Sequence, residues 1–189
     1  KNLSKHVDTN KPSKVYAVVL AAAQGVLKTI LPVKYHGLEY VKDLEAPYIL
    51  MANHTTMLDP FMMAVAIPKY QIRFIGKKEL WKIKPFAWFA NSIRAIPVDR
   101  HNTDMEAMRA CMRVTREGHV LGIFPEGTRH HKGLMTELES GVAMIALRSK
   151  VPLVPVYIAG KLGLFRTLHV YVGQPIMMDD LRAMGINTE

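Results

Sequence analysis

A chain of 189 residues with 49% hydrophobic content has the size and apolar material for one domain with a real core, which excludes a disordered chain. Its single cysteine, Cys111, excludes an internal disulfide framework and a cysteine-rich zinc site, so a reducing, cytosol-facing setting is expected. A formal charge of +9 and a pI near 9.7 call for an anionic partner: nucleic acid, anionic lipid headgroups or a phosphorylated substrate.

Residues Lys1 to Lys14 are polar, contain Pro12 and read as a loose leader. From Val15 to Ile30 the chain turns apolar, interrupted by Gln24 and Lys28 and ended by Pro32. The unbroken run Val15 to Ala23 is far shorter than the ~20 residues of a membrane span, and no small-residue cleavage site follows it. Ala17, Ala21, Gln24 and Lys28 share a narrow small-and-polar helical face. Val15, Tyr16, Val18, Val19, Ala22, Val26, Leu27 and Ile30 form a wide apolar one. The pattern predicts an amphipathic helix in or against one membrane leaflet, ahead of a helix packed only on the domain and of a span. Residues 1–32 are therefore read as a membrane-associated segment and residues 33–189 as the domain proper.

After Pro32, short β-like runs alternate with helical ones. Predicted strands are Val33 to Gly37, Tyr48 to Ala52, Ile72 to Ile75, Ala95 to Asp99, Val120 to Phe124, Leu153 to Ile158 and His169 to Val172. Predicted helices are Leu58 to Ile67, Glu79 to Asn91, Asp104 to Glu117, Ser140 to Ser149 and a short one after Asp179. The helix from Asp104 is well signalled: Asn102 or Thr103 caps it, Asp104 and Glu106 suit its positive end, and Gly118 stops it. Such alternation predicts an α/β fold with a mixed, largely parallel central sheet flanked by helices, its central strands buried on both faces.

Between the second predicted strand and the helix that follows lies Asn53-His54-Thr55-Thr56-Met57-Leu58-Asp59. His54 and Asp59 are five apart, not a same-face helical spacing. They meet only if His54 lies in the loop and Asp59 in the first helical turn. The carboxylate then fixes the imidazole's tautomer and stabilises it once protonated, which makes a two-residue general base. The alternative is a satisfied structural histidine.

Further along, Lys77 to Phe89 sets four lysines among four large aromatics, both tryptophans included. That mixture suits a lipid headgroup boundary, and equally a core-facing helix with a solvated basic side. Ile96-Pro97-Val98-Asp99-Arg100 delivers a basic residue at the end of a short apolar run. Phe124-Pro125-Glu126-Gly127-Thr128-Arg129 follows a strand with a tight loop in which glycine admits a ligand close to backbone amides and arginine offers a planar fork to phosphate. Read alone, it is also an ordinary turn with a surface arginine. His130 and His131, with no carboxylate at ligand spacing, read as solvated loop residues rather than metal ligands. Val151-Pro152-Leu153-Val154-Pro155-Val156 is an apolar strand with two prolines, which predicts a sheet edge or a bulge and side chains that line a groove.

In this order and spacing, Asn53-His54-x4-Asp59, Val98-Asp99-Arg100, Phe124 to Arg129 and Val151 to Val156 resemble the glycerolipid acyltransferases, specifically the lysophosphatidic acid (1-acylglycerol-3-phosphate O-acyltransferase) group, over roughly Val33 to Pro175. The resemblance implies transfer of a fatty acyl group from a thioester on acyl carrier protein or coenzyme A to the free sn-2 hydroxyl of lysophosphatidic acid, making phosphatidic acid for phospholipid biosynthesis. His54 is then the base and Asp59 its orienting partner, with no acyl-enzyme. The absence of a G-x-S-x-G elbow agrees with direct attack. The resemblance assigns Arg100, Glu126, Gly127, Thr128 and Arg129 to acceptor binding, with the arginines on phosphate and Glu126 on glycerol. Lys78 is a further phosphate contact.

It implies no cofactor and no metal, an anionic membrane surface as partner at the cytoplasmic face, and no nucleic acid. An oxyanion stabiliser is chemically required, and backbone amides near Gly127 are the candidates. One departure stands out: Leu138-Glu139-Ser140-Gly141 carries an acid where members of the family often have Phe-Lys. This keeps acylation of glycerol 3-phosphate or of another lysolipid as an alternative. From a different class, a non-catalytic basic module for membrane or nucleic acid is the rival.

Overall fold

The run Tyr48 to Ala52 is apolar at every position because both of its faces are covered. Strand β2 (Ile49–Ala52) sends Leu50 and Ala52 into one core and Ile49 into another, and all three are fully buried. Around it lies a seven-stranded sheet in a computed structural model that describes residues 11–98, 105–125, 145, 147–177 and 179–180. The other strands are β1 (Val33–His36), β3 (Arg73–Lys77), β4 (Ile96–Val98), β5 (Leu121–Ile123), β6 (Leu153–Ala159) and β7 (Leu168–Val172). Their order is β1-β7-β6-β2-β5-β3-β4. Every neighbouring pair is parallel except β6 and β7, so the mixed, largely parallel sheet read from the sequence is the one observed.

Helices cover the two faces. Helices α1 (Lys14–Thr29) and α3 (Asp59–Ala66) close the larger core, where Tyr16, Leu20 and Leu27 join Met62, Met63, Val154 and Val156. Ser13 caps α1 by accepting from the Tyr16 amide. On the opposite face, α5 (Met105–Arg116) buries Met108, Cys111 and Met112 against Ile49, Leu121 and Ile123. A short α2 (Glu39–Lys42), which the sequence pattern does not reveal, buries Val41. Most of the predicted helix 140–149, and of the one after Asp179, lies outside the described residues.

Two expectations are corrected. The single helix over Glu79 to Asn91 is a 3₁₀ helix (Lys78–Lys82) followed by α4 (Lys84–Ser92), with Ile83 extended between them. Pro85 has no N–H, and in a continuous helix its ring would meet the carbonyl four residues back, so it is accommodated only in the first turn of a new helix.

Of the two alternatives for the strand with two prolines, the edge is corrected, since β6 sits between β2 and β7. The bulge is found, since Val156 pairs with Val172 and Leu153 with Ile176, which leaves one extra residue on the β7 side beside Pro155. The Pro152 carbonyl accepts from the Ile49 amide, so that residue joins the β2 ladder through its acceptor alone. The Pro155 carbonyl accepts from the Gly173 amide at 2.8 Å, on the side where β7 pairing with β6 ends at Val172. The Pro155 ring occupies the space beside Gly173, where a Cβ would come within 2.8 Å of it. The missing donor thus falls at a gap in the β7 ladder.

Candidate functional site

Strands β2, β5, β3 and β4 run parallel, so their C-terminal ends share one edge of the sheet. That edge is where open α/β sheets place ligand sites. The loop after β2 begins with Asn53, which is wholly buried. Its side-chain amide brackets one residue of β6: Nδ2 donates to the Ile158 carbonyl at 2.9 Å and Oδ1 accepts from the Ile158 amide at 2.7 Å. The chain is thereby fixed one residue before His54.

Asp59 opens α3, at the positive end of the helix, and is wholly buried. Its Oδ2 accepts from the Thr55 amide at 2.6 Å, the Thr56 amide at 2.8 Å and His54 Nδ1 at 2.8 Å. Its Oδ1 accepts from Thr56 Oγ1 at 2.7 Å. The carboxylate folds the loop around itself, which brings residues five apart into contact, as the sequence spacing requires.

A carboxylate has no proton to give, so Nδ1 carries the hydrogen and Nε2 holds the ring's lone pair. His54 retains 16% side-chain exposure, enough to meet a substrate group. Its ring stacks on Phe124 at 4.2 Å between centroids and 22° between planes, and Phe124 stacks in turn on Phe74 at 6.2 Å. The imidazole is thus held in the ring plane by Asp59 and across it by Phe124.

Beside this loop, Leu58 and Phe61 of the α3 segment, Phe89 of α4, and Val19, Ala22, Ala23, Val26 and Leu27 of α1 line a wholly apolar groove of ≈ 320 Å³. Leu58 is adjacent in sequence to Asp59, so the groove and the His54–Asp59 pair share one segment.

Of the predicted site residues, the structure brings His54 and Asp59 together. Lys78 is exposed just beyond the end of β3, on the same sheet edge. Arg100, Glu126, Gly127, Thr128 and Arg129 lie outside the described residues, as do the amides near Gly127, Glu139, His130 and His131. Sequence reasoning gave no role to Asn53, Thr55, Thr56 or Phe124. The two threonines between a base and an acid were a usable signal, because short hydroxyl residues in a loop satisfy a nearby carboxylate.

A family model described as Acyltransferase matches residues 32–159. A 1-acyl-sn-glycerol-3-phosphate acyltransferase of Streptococcus pneumoniae is 33% identical over 163 residues, covering 82% of this chain and 60% of that protein. One of Bacillus subtilis is 31% identical over 162 residues, covering 82% of this chain and 80% of that one. The chain therefore spans somewhat under two thirds of the first relative's length and most of the second's. The crystal structure of the 1-acyl-sn-glycerophosphate (LPA) acyltransferase PlsC of Thermotoga maritima shares the fold, with a TM-score of 0.68 and 23% identity over 89% of this chain and 75% of that one.

Proposed function

The chain belongs to the acyltransferase family, in its 1-acylglycerol-3-phosphate O-acyltransferase group, and on that premise we propose that it acylates the sn-2 hydroxyl of lysophosphatidic acid to give phosphatidic acid. The observation that carries the reading is the 2.8 Å contact of His54 Nδ1 with a buried Asp59. That contact supports Nε2 as the base. Nε2 takes the acceptor's hydroxyl proton as the oxygen attacks the thioester carbonyl and a C–O bond forms. Asp59 stabilises the imidazolium that results. The tetrahedral intermediate then expels the thiolate, breaking the C–S bond, and the imidazolium returns the proton to sulfur. No bond to the enzyme is made.

Arg100 and Arg129 take the acceptor phosphate, with Lys78 as a third cation. Glu126, Gly127 and Thr128 hold the glycerol, and amides near Gly127 receive the oxyanion. The groove beside Leu58 takes the acyl chain, a role its wholly apolar lining supports. The donor is a thioester of acyl carrier protein or coenzyme A.

The domain sits at the cytoplasmic face of a membrane. No described helix is long and apolar enough to cross one. Two features support a surface placement: Val18 and Val26 of α1 and Ile30 at its C-cap are exposed, and from the last residue of β3 onward Ile83 and Trp88 are exposed among Lys77, Lys78, Lys82 and Lys84.

A panel of acceptors against one donor tests the reading. Lysophosphatidic acid is expected to exceed its dephosphorylated counterpart by at least tenfold, since charge-assisted contacts to phosphate are lost. Indifference to the phosphate contradicts the roles of Arg100 and Arg129. Glycerol 3-phosphate and other lysolipids belong in the panel as the alternative acceptors. A non-catalytic basic module predicts no thiol release with any acceptor.

A further inference from the structure

The loop that joins β6 to β7 displays Leu164 and Phe165 at 71% and 76% exposure, among the highest of the large apolar side chains in the described residues. The display is not slack chain. Phe165 holds φ at 58°, a left-handed conformation that bulky L residues rarely adopt. Its amide donates to the Ile30 carbonyl at 3.0 Å, which ties the loop tip to the C-terminal end of α1.

Chemistry around the tip is one-sided. Lys161 and Arg166 flank it and are exposed, Lys28 is exposed at the end of α1, and residues 160–168 contain no acid. The loop also continues an apolar strip along α1 and its C-cap, where Val18, Val26 and the capping Ile30 are 70%, 41% and 44% exposed and Ile30 is the residue the loop is bonded to. Two apolar side chains between cationic shoulders match a bilayer's depth profile: the rings and methyls reach the acyl boundary while Lys and Arg turn back to anionic headgroups.

We propose that the loop carrying Leu164 and Phe165 inserts into the headgroup boundary of an anionic bilayer, as a contact separate from α1 that fixes the tilt of the domain. The proposal rests on the membrane placement above and not on the acyl-transfer chemistry. Its consequence for function is geometric. Val26 belongs both to the exposed strip and to the wall of the apolar groove, so a domain held by α1 and this loop turns that groove toward the lipid.

The test is depth measurement by a spin label introduced with Phe165→Cys. Cys111 is buried at 1% exposure and takes no label. On vesicles of mixed phosphatidylglycerol and phosphatidylcholine, the label is expected to become accessible to oxygen and shielded from a water-soluble paramagnetic complex. A label from Arg113→Cys, exposed on α5 across the sheet, stays in water. A label at position 165 that stays in water on vesicle-bound protein overturns the proposal. So does shielding that follows protein concentration without vesicles, since a second copy is then the occupant.

The double variant Leu164→Ser, Phe165→Ser is expected to weaken vesicle partitioning roughly tenfold or more, with an unchanged melting temperature. Undiminished partitioning overturns the proposal. Lysophosphatidic acid dispersed in detergent is turned over normally by this variant. If the parent chain itself shows no such turnover, the acyl-transfer reading fails while the depth result stands or falls separately.

Discussion

Replacing Asp59 by asparagine separates the two things the carboxylate does. Oδ2 accepts from two amides and from His54 Nδ1, and an amide oxygen in that place keeps all three donors satisfied. The new NH₂ then faces Thr56 Oγ1 and, more distantly, Thr55 Oγ1, and a hydroxyl can turn to accept. The loop and the Nδ1–H tautomer are therefore retained, and the stability cost is about 1 kcal/mol. What is lost is the charge opposite the imidazolium. At a separation of about 4 Å and an effective dielectric constant of about 20, that interaction is worth ~4 kcal/mol. This corresponds to a factor of about 10³ in rate.

Asp59→Asn is thus expected to lower kcat about a thousandfold, with KM for the acceptor almost unchanged and the urea midpoint lowered by only about 0.5 M. Asp59→Ala, which orphans buried donors, costs about 2–4 kcal/mol of stability. Thiol release from the acyl donor and urea unfolding measure the two effects. Turnover by Asp59→Asn within tenfold of the parent refutes the charge argument. Unfolding as severe as that of Asp59→Ala refutes the hydrogen-bond assignment.

Other expectations follow from the same geometry. A Cβ at Gly122 would stand 2.5 Å from the Phe74 ring, which stacks on Phe124 and through it bears on His54. Gly122→Ala should therefore cost about 1–3 kcal/mol by overpacking and lower kcat as well, measured by thermal melting and turnover. Val26→Trp places bulk in the apolar groove, and competition between donors of different length should show a shift to shorter chains.

His119 is held below its ordinary value of 6.5, first by burial and then by the Arg73 guanidinium. Above pH 6.5 it is neutral in both states. As pH falls below 6.5 the unfolded chain takes up a proton that the folded one resists, so stability drops down to the folded pKa. His119→Gln should flatten that part of the profile of urea midpoint against pH.

The strands were legible because a sheet buried on both faces writes itself as short apolar runs, and all seven are found within two residues or so of their predicted ends. His54 and Asp59 were legible because the strand and the helix beside them fix where the loop begins and ends. Strand order was not legible. That β2 lies between β6 and β5 decides that Asn53 meets Ile158 and that Phe124 reaches His54, and neither neighbour is written near residue 53. Pro155 left edge and bulge undecided for the same reason: proline disfavours a central strand only if its missing N–H faces an intact ladder, and the facing residue is Gly173, eighteen positions on, where the β7 side carries one extra residue. Pro85, by contrast, carried its own signal, since it can occupy the first turn of a helix but not the middle of one. The apolar groove required α1, α3 and α4 to converge, which no single periodicity contains.

The central claim is that the imidazole of His54 is the base in a direct transfer. It is tested by thiol release from an acyl thioester in the presence of lysophosphatidic acid, comparing the parent with His54→Ala at matched vesicle binding and melting temperature. The variant is predicted to release no thiol above the uncatalysed rate, and turnover at a rate near the parent's contradicts the account.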